Sequence, residues 1–169
     1  MLPDDLEERA AVFSSCQSYR YWLRRRLSMW GVPVAFIMLN PSTADHERND
    51  PTVQRCETYA RAWGASDLIV LNIFALRSTD PAGLKTVADP IGPLNAEAFH
   101  RGVAFCQAHG GWGVAAWGEQ GKFCNRNLVV RNYLRRCDLP LYCLGVTKAG
   151  EPRHPLYLRR DLKPKIWDI

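Results

Sequence analysis

At 169 residues, with 47% hydrophobic side chains and six tryptophans, the chain has the means for one well-buried core, which argues against disorder and against two domains. No apolar run approaches the roughly 20 residues of a membrane helix, and the acidic start Met1-Leu2-Pro3-Asp4-Asp5-Leu6-Glu7-Glu8 lacks the apolar centre of a signal peptide, so a cytoplasmic protein with no membrane partner is expected. The net charge of +5 is one-sided: residues 122–165 hold eleven Lys and Arg against three acidic residues, and the remainder is at −3, the footprint of a polyanion binder such as one for nucleic acid or nucleotide.

Residues 1–10 read as a ragged or helical arm. Ala11-Val12-Phe13-Ser14-Ser15 and Tyr19-Arg20-Tyr21-Trp22-Leu23-Arg24 alternate as two strands across a Cys16-Gln17-Ser18 turn, a short N-terminal β-hairpin. Trp30-Gly31-Val32-Pro33 breaks the chain before Val34-Ala35-Phe36-Ile37-Met38-Leu39, a continuous apolar run that reads as a strand buried on both faces. Ligands of such sheets bind beyond the carboxyl ends of the strands. Asn40, Pro41, Ser42, Thr43 and Asp45 therefore emerge where chemistry is expected.

Asp50-Pro51 has the form of a helix start, with an Asp cap and Pro at the first position. The helix should run from Thr52 to about Trp63, bury Val53, Cys56, Tyr59, Ala60 and Trp63, and end at Gly64. Leu68 to Phe74 is a second buried strand, followed by Arg77, Ser78 and Thr79. Asp80-Pro81 opens a helical turn, and a helix spans about Asn95 to Ala108. Gly113 to Trp117 is a third strand, leading through Gly118-Glu119-Gln120-Gly121 into a helix from about Lys122 to Cys137. Leu139 to Leu144 is the fourth core strand. This alternation predicts an α/β protein: a single domain over 1–169, three-layer α/β/α, with a central four-stranded parallel sheet plus the hairpin. The six cysteines form no CxxC pair, and the nearest two are six positions apart, so reduced thiols and no metal are expected.

The stretches Met38-Leu39-Asn40-Pro41-Ser42-Thr43-Ala44-Asp45, Asp50-Pro51-Thr52-Val53, Asn72-Ile73-Phe74-Ala75 and Thr147-Lys148 to Arg153-His154-Pro155-Leu156-Tyr157-Leu158 together resemble the bacterial and phage domain-of-unknown-function family numbered 1643. The resemblance covers nearly the whole chain from about residue 11. That family in turn resembles, more weakly, the uracil-DNA glycosylase superfamily. Members of the superfamily carry Gly-x-Asx-Pro or Gly-x-x-Pro-Gly after strand one, an Asn ending strand two, and a His-Pro-x-x-Leu-like motif after strand four. Leu39-Asn40-Pro41-Ser42, Asn72 and His154-Pro155-Leu156 occupy those places here, with Met38 and Ser42 where the glycines stand and no Asp directly before Pro41.

The resemblance implies a DNA glycosylase without cofactor that hydrolyses the N-glycosidic bond of a modified or damaged base, such as a modified pyrimidine of phage DNA, in base-excision repair or antiviral defence. A monomer with DNA as partner is expected. The departing base must be stabilised as an anion and a water aimed at the sugar. His154 would bond the departing carbonyl oxygen, and Asn40 would orient the water, with Asp45 as the rival and stronger base. Asn72 would read a base edge. Pro41, Ser42 and Thr43 would shape the pocket, and Phe74, Trp63 or Tyr157 would stack an extruded base. Arg77, Lys148, Arg153, Arg159 and Arg160 would hold phosphates. Plainer roles stand beside these: Asn40-Pro41 as a turn, Asp50 as a helix cap, Phe74 and Trp63 as core, Lys148 as a solvated loop residue. Rival functions are a hydrolase of free nucleosides or nucleotides, a non-catalytic nucleic-acid binder and, least favoured, a Ser42–His154–Asp50 hydrolase.

Overall fold

In the computed structural model, which describes residues 1–168, every residue of the apolar run Val34–Met38 is buried. The strands are β1 (Ala11–Phe13), β2 (Arg20–Arg26), β3 (Val34–Met38), β4 (Asp67–Asn72), β5 (Trp112–Ala115), β6 (Leu141–Cys143) and β7 (Lys165–Ile166); the α-helices are α1 (Pro51–Ala62), α2 (Asn95–Ala108) and α3 (Arg126–Leu134). They make a mixed α/β protein around one seven-stranded sheet in the order β1-β2-β4-β3-β5-β6-β7. β3 pairs in parallel with β4 and β5, and β5 with β6. β2 runs antiparallel to β4, and β7 antiparallel to β6.

Alternation along β3 sorts the core. Ala35 and Ile37 join Ile69 and Leu71 in a cluster that takes in Ala98, Val103 and Cys106 of α2 and Val130 and Leu134 of α3. Val34, Phe36 and Met38 join Leu68 and Val70 in a second cluster with Val53, Cys56, Tyr59 and Ala60 of α1. Successive side chains of a strand point to opposite faces, so a run apolar at every position packs helices against both. Each fully buried Val, Ile, Leu or Phe contributes about 1.5–3 kcal/mol. Gly102 of α2 meets Leu71, and a Cβ there would lie 2.5 Å from its Cδ2.

Two expectations are sharpened and two corrected. The four parallel strands β4, β3, β5 and β6 lie inside a seven-stranded sheet, because β2 continues past the hairpin and bonds to β4, and the exposed Lys165–Ile166 pair adds an edge without any apolar pattern. Of the two readings of residues 1–10, the helical one is the nearer: Leu6–Glu8 form a 3-10 turn, Leu2 and Leu6 are buried, and Arg101 grips the segment through Glu7 and the Pro3 carbonyl. The helix expected over 122–137 is broken. Cys124 and Asn125 adopt left-handed conformations at the end of a 3-10 segment, Glu119–Asn125, and α3 starts only at Arg126. The fourth core strand is shorter than Leu139–Leu144.

Candidate functional site

Beyond the carboxyl ends of β3, β4 and β5 lies a cavity of about 460 Å³, large enough for a nucleobase-sized ligand. Asn40, Ser42, Asp50 and His154 line it, and the same four border a small inner chamber of about 30 Å³ that also meets Arg20 and Asn72. The residues expected after strands one, two and four thus border this cavity and the chamber beside it, which share part of their walls.

Asn40 leaves β3 and spends both amide protons on the protein: Nδ2 donates to the carbonyls of Pro41 and Ser78, each at 2.9 Å. Those partners only accept, so the amide's sense is set and Oδ1 is left to accept from whatever enters the cavity. Asn40 is therefore a turn residue and a presented acceptor at once. Pro41 is buried, and its carbonyl also accepts from the Ser78 N–H at 2.8 Å. Asn72 ends β4, buried. Its Oδ1 accepts from Arg20 Nη2 at 3.2 Å, which turns Nδ2 outward as a donor. The Asn72 carbonyl is held from behind by Asn95 Nδ2 at 3.0 Å, and the Ile73 carbonyl by Arg126 Nε at 2.8 Å.

Asp45 is corrected. It borders neither cavity nor chamber, and its Oδ1 accepts the N–H groups of Glu47 and Arg48 at 2.9 and 2.8 Å. Those bonds, the Arg48 one first, hold its carboxyl below the usual range. It is a turn cap. Two carboxylates line the cavity, those of Asp50 and Glu119; Asp50 Oδ1 caps α1 through Val53 N–H at 2.8 Å while Oδ2 accepts from Ala44 N–H at 3.2 Å. Capping and lining the pocket are here one position.

His154 opens a 3-10 turn, Pro155–Tyr157, and its Nδ1 accepts the Leu156 N–H at 3.4 Å. The neutral ring then carries its proton on Nε2. Burial pushes the His154 pKa below its usual value, against a smaller opposing pull from Asp50. The segment carrying it is fastened by Glu151, buried and missed by sequence reasoning. Glu151 accepts from Trp117 Nε1 and Asn127 Nδ2, each at 2.8 Å, and pairs with Arg131 at 3.3 Å. Gly118 N–H donates to the Pro152 carbonyl at 2.8 Å, tying the segment to the end of β5.

The expected aromatic wall is corrected too. Phe74 is fully buried against Phe123, and Trp63 stacks on Phe36 and Tyr59; neither lines the cavity. Tyr157, 90% exposed, stands at the rim. Arg77 and Thr43 lie in a shallow groove beside the cavity, which shares Ser42, Ser78 and Thr79 with it. Arg77 stacks over Phe13 and donates to the Gln17 carbonyl at 2.9 Å.

The basic half is partly consumed inside the protein, where Arg126 and Arg131 serve the network just described. Arg159 stays exposed and pairs on the surface with Asp161 at 2.5 Å. Lys148, Arg153 and Arg160 are exposed. Among the described residues, no group of three or more His, Cys, Asp or Glu side chains is placed to hold a metal ion, and no helix is long and apolar enough to cross a membrane. Arg20 was also missed. Sequence offered only its place between Tyr19 and Tyr21 as a signal, and alternation suggested that it faced solvent.

The family described as "Protein of unknown function (DUF1643)" matches residues 20–156, and the chain belongs to it. No curated protein and no solved structure matches the chain.

Proposed function

We propose that the protein is a DNA glycosylase that hydrolyses the N-glycosidic bond of a modified or damaged base, on a three-layer fold of the uracil-DNA glycosylase kind. The observation that carries this reading is the meeting of Asn40 and His154 on one base-sized cavity, with Asn72 on the chamber beside it. As the C1′–N bond breaks, its electron pair leaves with the base, and a water adds to the oxocarbenium-like sugar and sheds a proton. Asn40 Oδ1 orients that water, with Asp50 as a nearby carboxylate. His154 Nε2–H bonds the oxygen on which the base's negative charge gathers, in a site where few waters screen it. Tyr157 stacks at the mouth, and Lys148, Arg153 and Arg160 meet phosphates. The enzyme works as a cytoplasmic monomer without cofactor, in repair or in defence against foreign DNA.

The test is incubation with a panel of normal and phage-modified DNAs, followed by mass spectrometry of released bases. Abasic sites with a matching free base support the proposal; intact DNA throughout the panel removes it. The engagement of Arg126 and Arg131 within the protein favours a second reading, hydrolysis of free nucleosides or nucleotides, in which no duplex surface is needed. Nucleoside arms in the same panel separate the two.

A further inference from the structure

We propose that the inner chamber is a substituent pocket in which Arg20 and Asp50 together receive a small hydroxyl-bearing group carried by the bound base. The proposal rests on the glycosylase reading for its ligand, a nucleobase, and adds what that base carries.

Arg20 is 3% exposed and spends its guanidinium unevenly. Nη1 donates to the Ala44 carbonyl and Nη2 to Asn72 Oδ1, both at 3.2 Å, while the buried Nε–H has no partner. An orphaned donor on a buried cation is costly, and in a native fold it asks for an explanation. The Nε–H groups of Arg77 and Arg131 are likewise without a partner, but of the three only Arg20 borders the chamber. At about 30 Å³ the chamber has room for a small substituent. It shares Asn40, Ser42, Asp50, Thr52 and His154 with the wall of the main cavity.

Polarity narrows the group further. The Arg20 guanidinium and Asn72 Nδ2 can only donate, so the occupant must accept. Asp50, on the same chamber, can only accept, and its charge opposes an anionic substituent. A hydroxyl does both, accepting from Arg20 and donating to Asp50. A methyl group offers these donors no acceptor, a carboxylate faces Asp50, and a hydroxyl extended by a sugar exceeds the space. Met38, Val53 and Val70 supply apolar contacts for the carbon that bears the hydroxyl.

The test uses the full chain and single-stranded oligonucleotides with one central 5-substituted pyrimidine, in uracil and cytosine series. The substituent is hydroxymethyl, methyl, carboxyl or glucosylated hydroxymethyl. Binding is read by fluorescence anisotropy and base release by mass spectrometry. The hydroxymethyl probes should bind about 10- to 100-fold more tightly than the methyl probes, the range of a hydrogen bond to a charged group. That ratio should collapse in Arg20→Met and shrink in Arg20→Lys. Equal binding of all four probes by the wild-type protein, tightest binding of the glucosylated or methyl probe, or a preference intact in a folded Arg20→Met, would overturn the proposal. The wild-type comparison stands even where a variant fails to fold. Hydroxymethyl-selective binding without base release upholds the pocket and removes the glycosylase reading; release with no substituent preference does the reverse.

Discussion

Asn40 and Asn72 carry the same carboxamide and are locked in opposite senses: carbonyl partners hold the Nδ2 of Asn40, and a guanidinium holds the Oδ1 of Asn72. One side chain therefore offers an acceptor and the other a donor, each without rotational freedom to adapt. Preset polarity of this kind costs no reorganisation when a ligand arrives.

Asn40→Ala should lower turnover by about 10²- to 10³-fold, the scale of losing one preorganised polar contact, while DNA affinity changes little. Asn40→Asp tests the lock itself. A carboxylate cannot donate to the Pro41 and Ser78 carbonyls, so the variant should also lose about 1–3 kcal/mol of stability in urea unfolding. Unchanged turnover in both would take Asn40 out of the reaction.

Asp45→Asn should leave turnover within about twofold of wild type, because Asn can still accept from the Glu47 and Arg48 N–H groups. Its stability contribution runs with pH. The folded carboxyl sits below its ordinary value of 3.8, so the contribution is present above that pH and fades as pH falls through the folded value. A turnover loss like that of Asn40→Ala would restore Asp45 as a base.

For His154, burial places the folded pKa below the ordinary 6.5. The stability gained from keeping the ring neutral is complete above pH 6.5 and falls away as pH drops through the lower folded value. Protonation also removes the Nδ1 lone pair that accepts from Leu156 N–H. The acid limb of kcat/KM should therefore fall below pH 6.5 and vanish in His154→Asn, whose residual rate should be low and flat. Titration of the ring by NMR gives the value directly; a midpoint above 6.5 would contradict the burial argument.

Glu151→Gln should destabilise the fold by about 3–5 kcal/mol, as when one partner of a buried ion pair is removed. The amide cannot accept on both ends, and Trp117 Nε1 and Asn127 Nδ2 both need an acceptor. Where the variant still folds, kcat should fall more than KM rises, because the segment holding His154 loses its anchor.

Phe74→Ala and Tyr157→Ala separate core from rim. The first should cost about 3–5 kcal/mol and act on activity only through folding. The second should leave the unfolding midpoint in place and weaken DNA binding by roughly 1–3 kcal/mol, the range for one stacked base.

Much of the strand and helix pattern is legible in the chain itself. Six apolar residues ending in Asn40-Pro41 leave little choice but a buried strand, and Asp50-Pro51 starts α1 where such a pair should. What escaped had no periodic signal. Lys165–Ile166 becomes a strand only because the edge of β6 is available, and Arg20 reads as a solvated strand residue until tertiary packing closes over it. The site divides in the same way. Asn72 ends β4 and Asn40 follows β3 directly, so sequence position and spatial position coincide there, whereas His154 returns to the site on a turn well beyond β6. Asp50 and Asp45 are five positions apart in the same polar loop, and only its folded path decides which carboxylate turns inward.

The end of β4 is clamped on both sides. Asn95 and Arg126 seize its last carbonyls, while Ile73 and Phe74 N–H bond to the Met38 and Leu39 carbonyls at 2.9 Å. Amide exchange at Ile73 and Phe74 should consequently await global opening rather than local breathing. A bound base then meets a floor that does not give, and any accommodation falls to the two proline-led turns at the mouth, Pro81–Lys85 and Pro155–Tyr157.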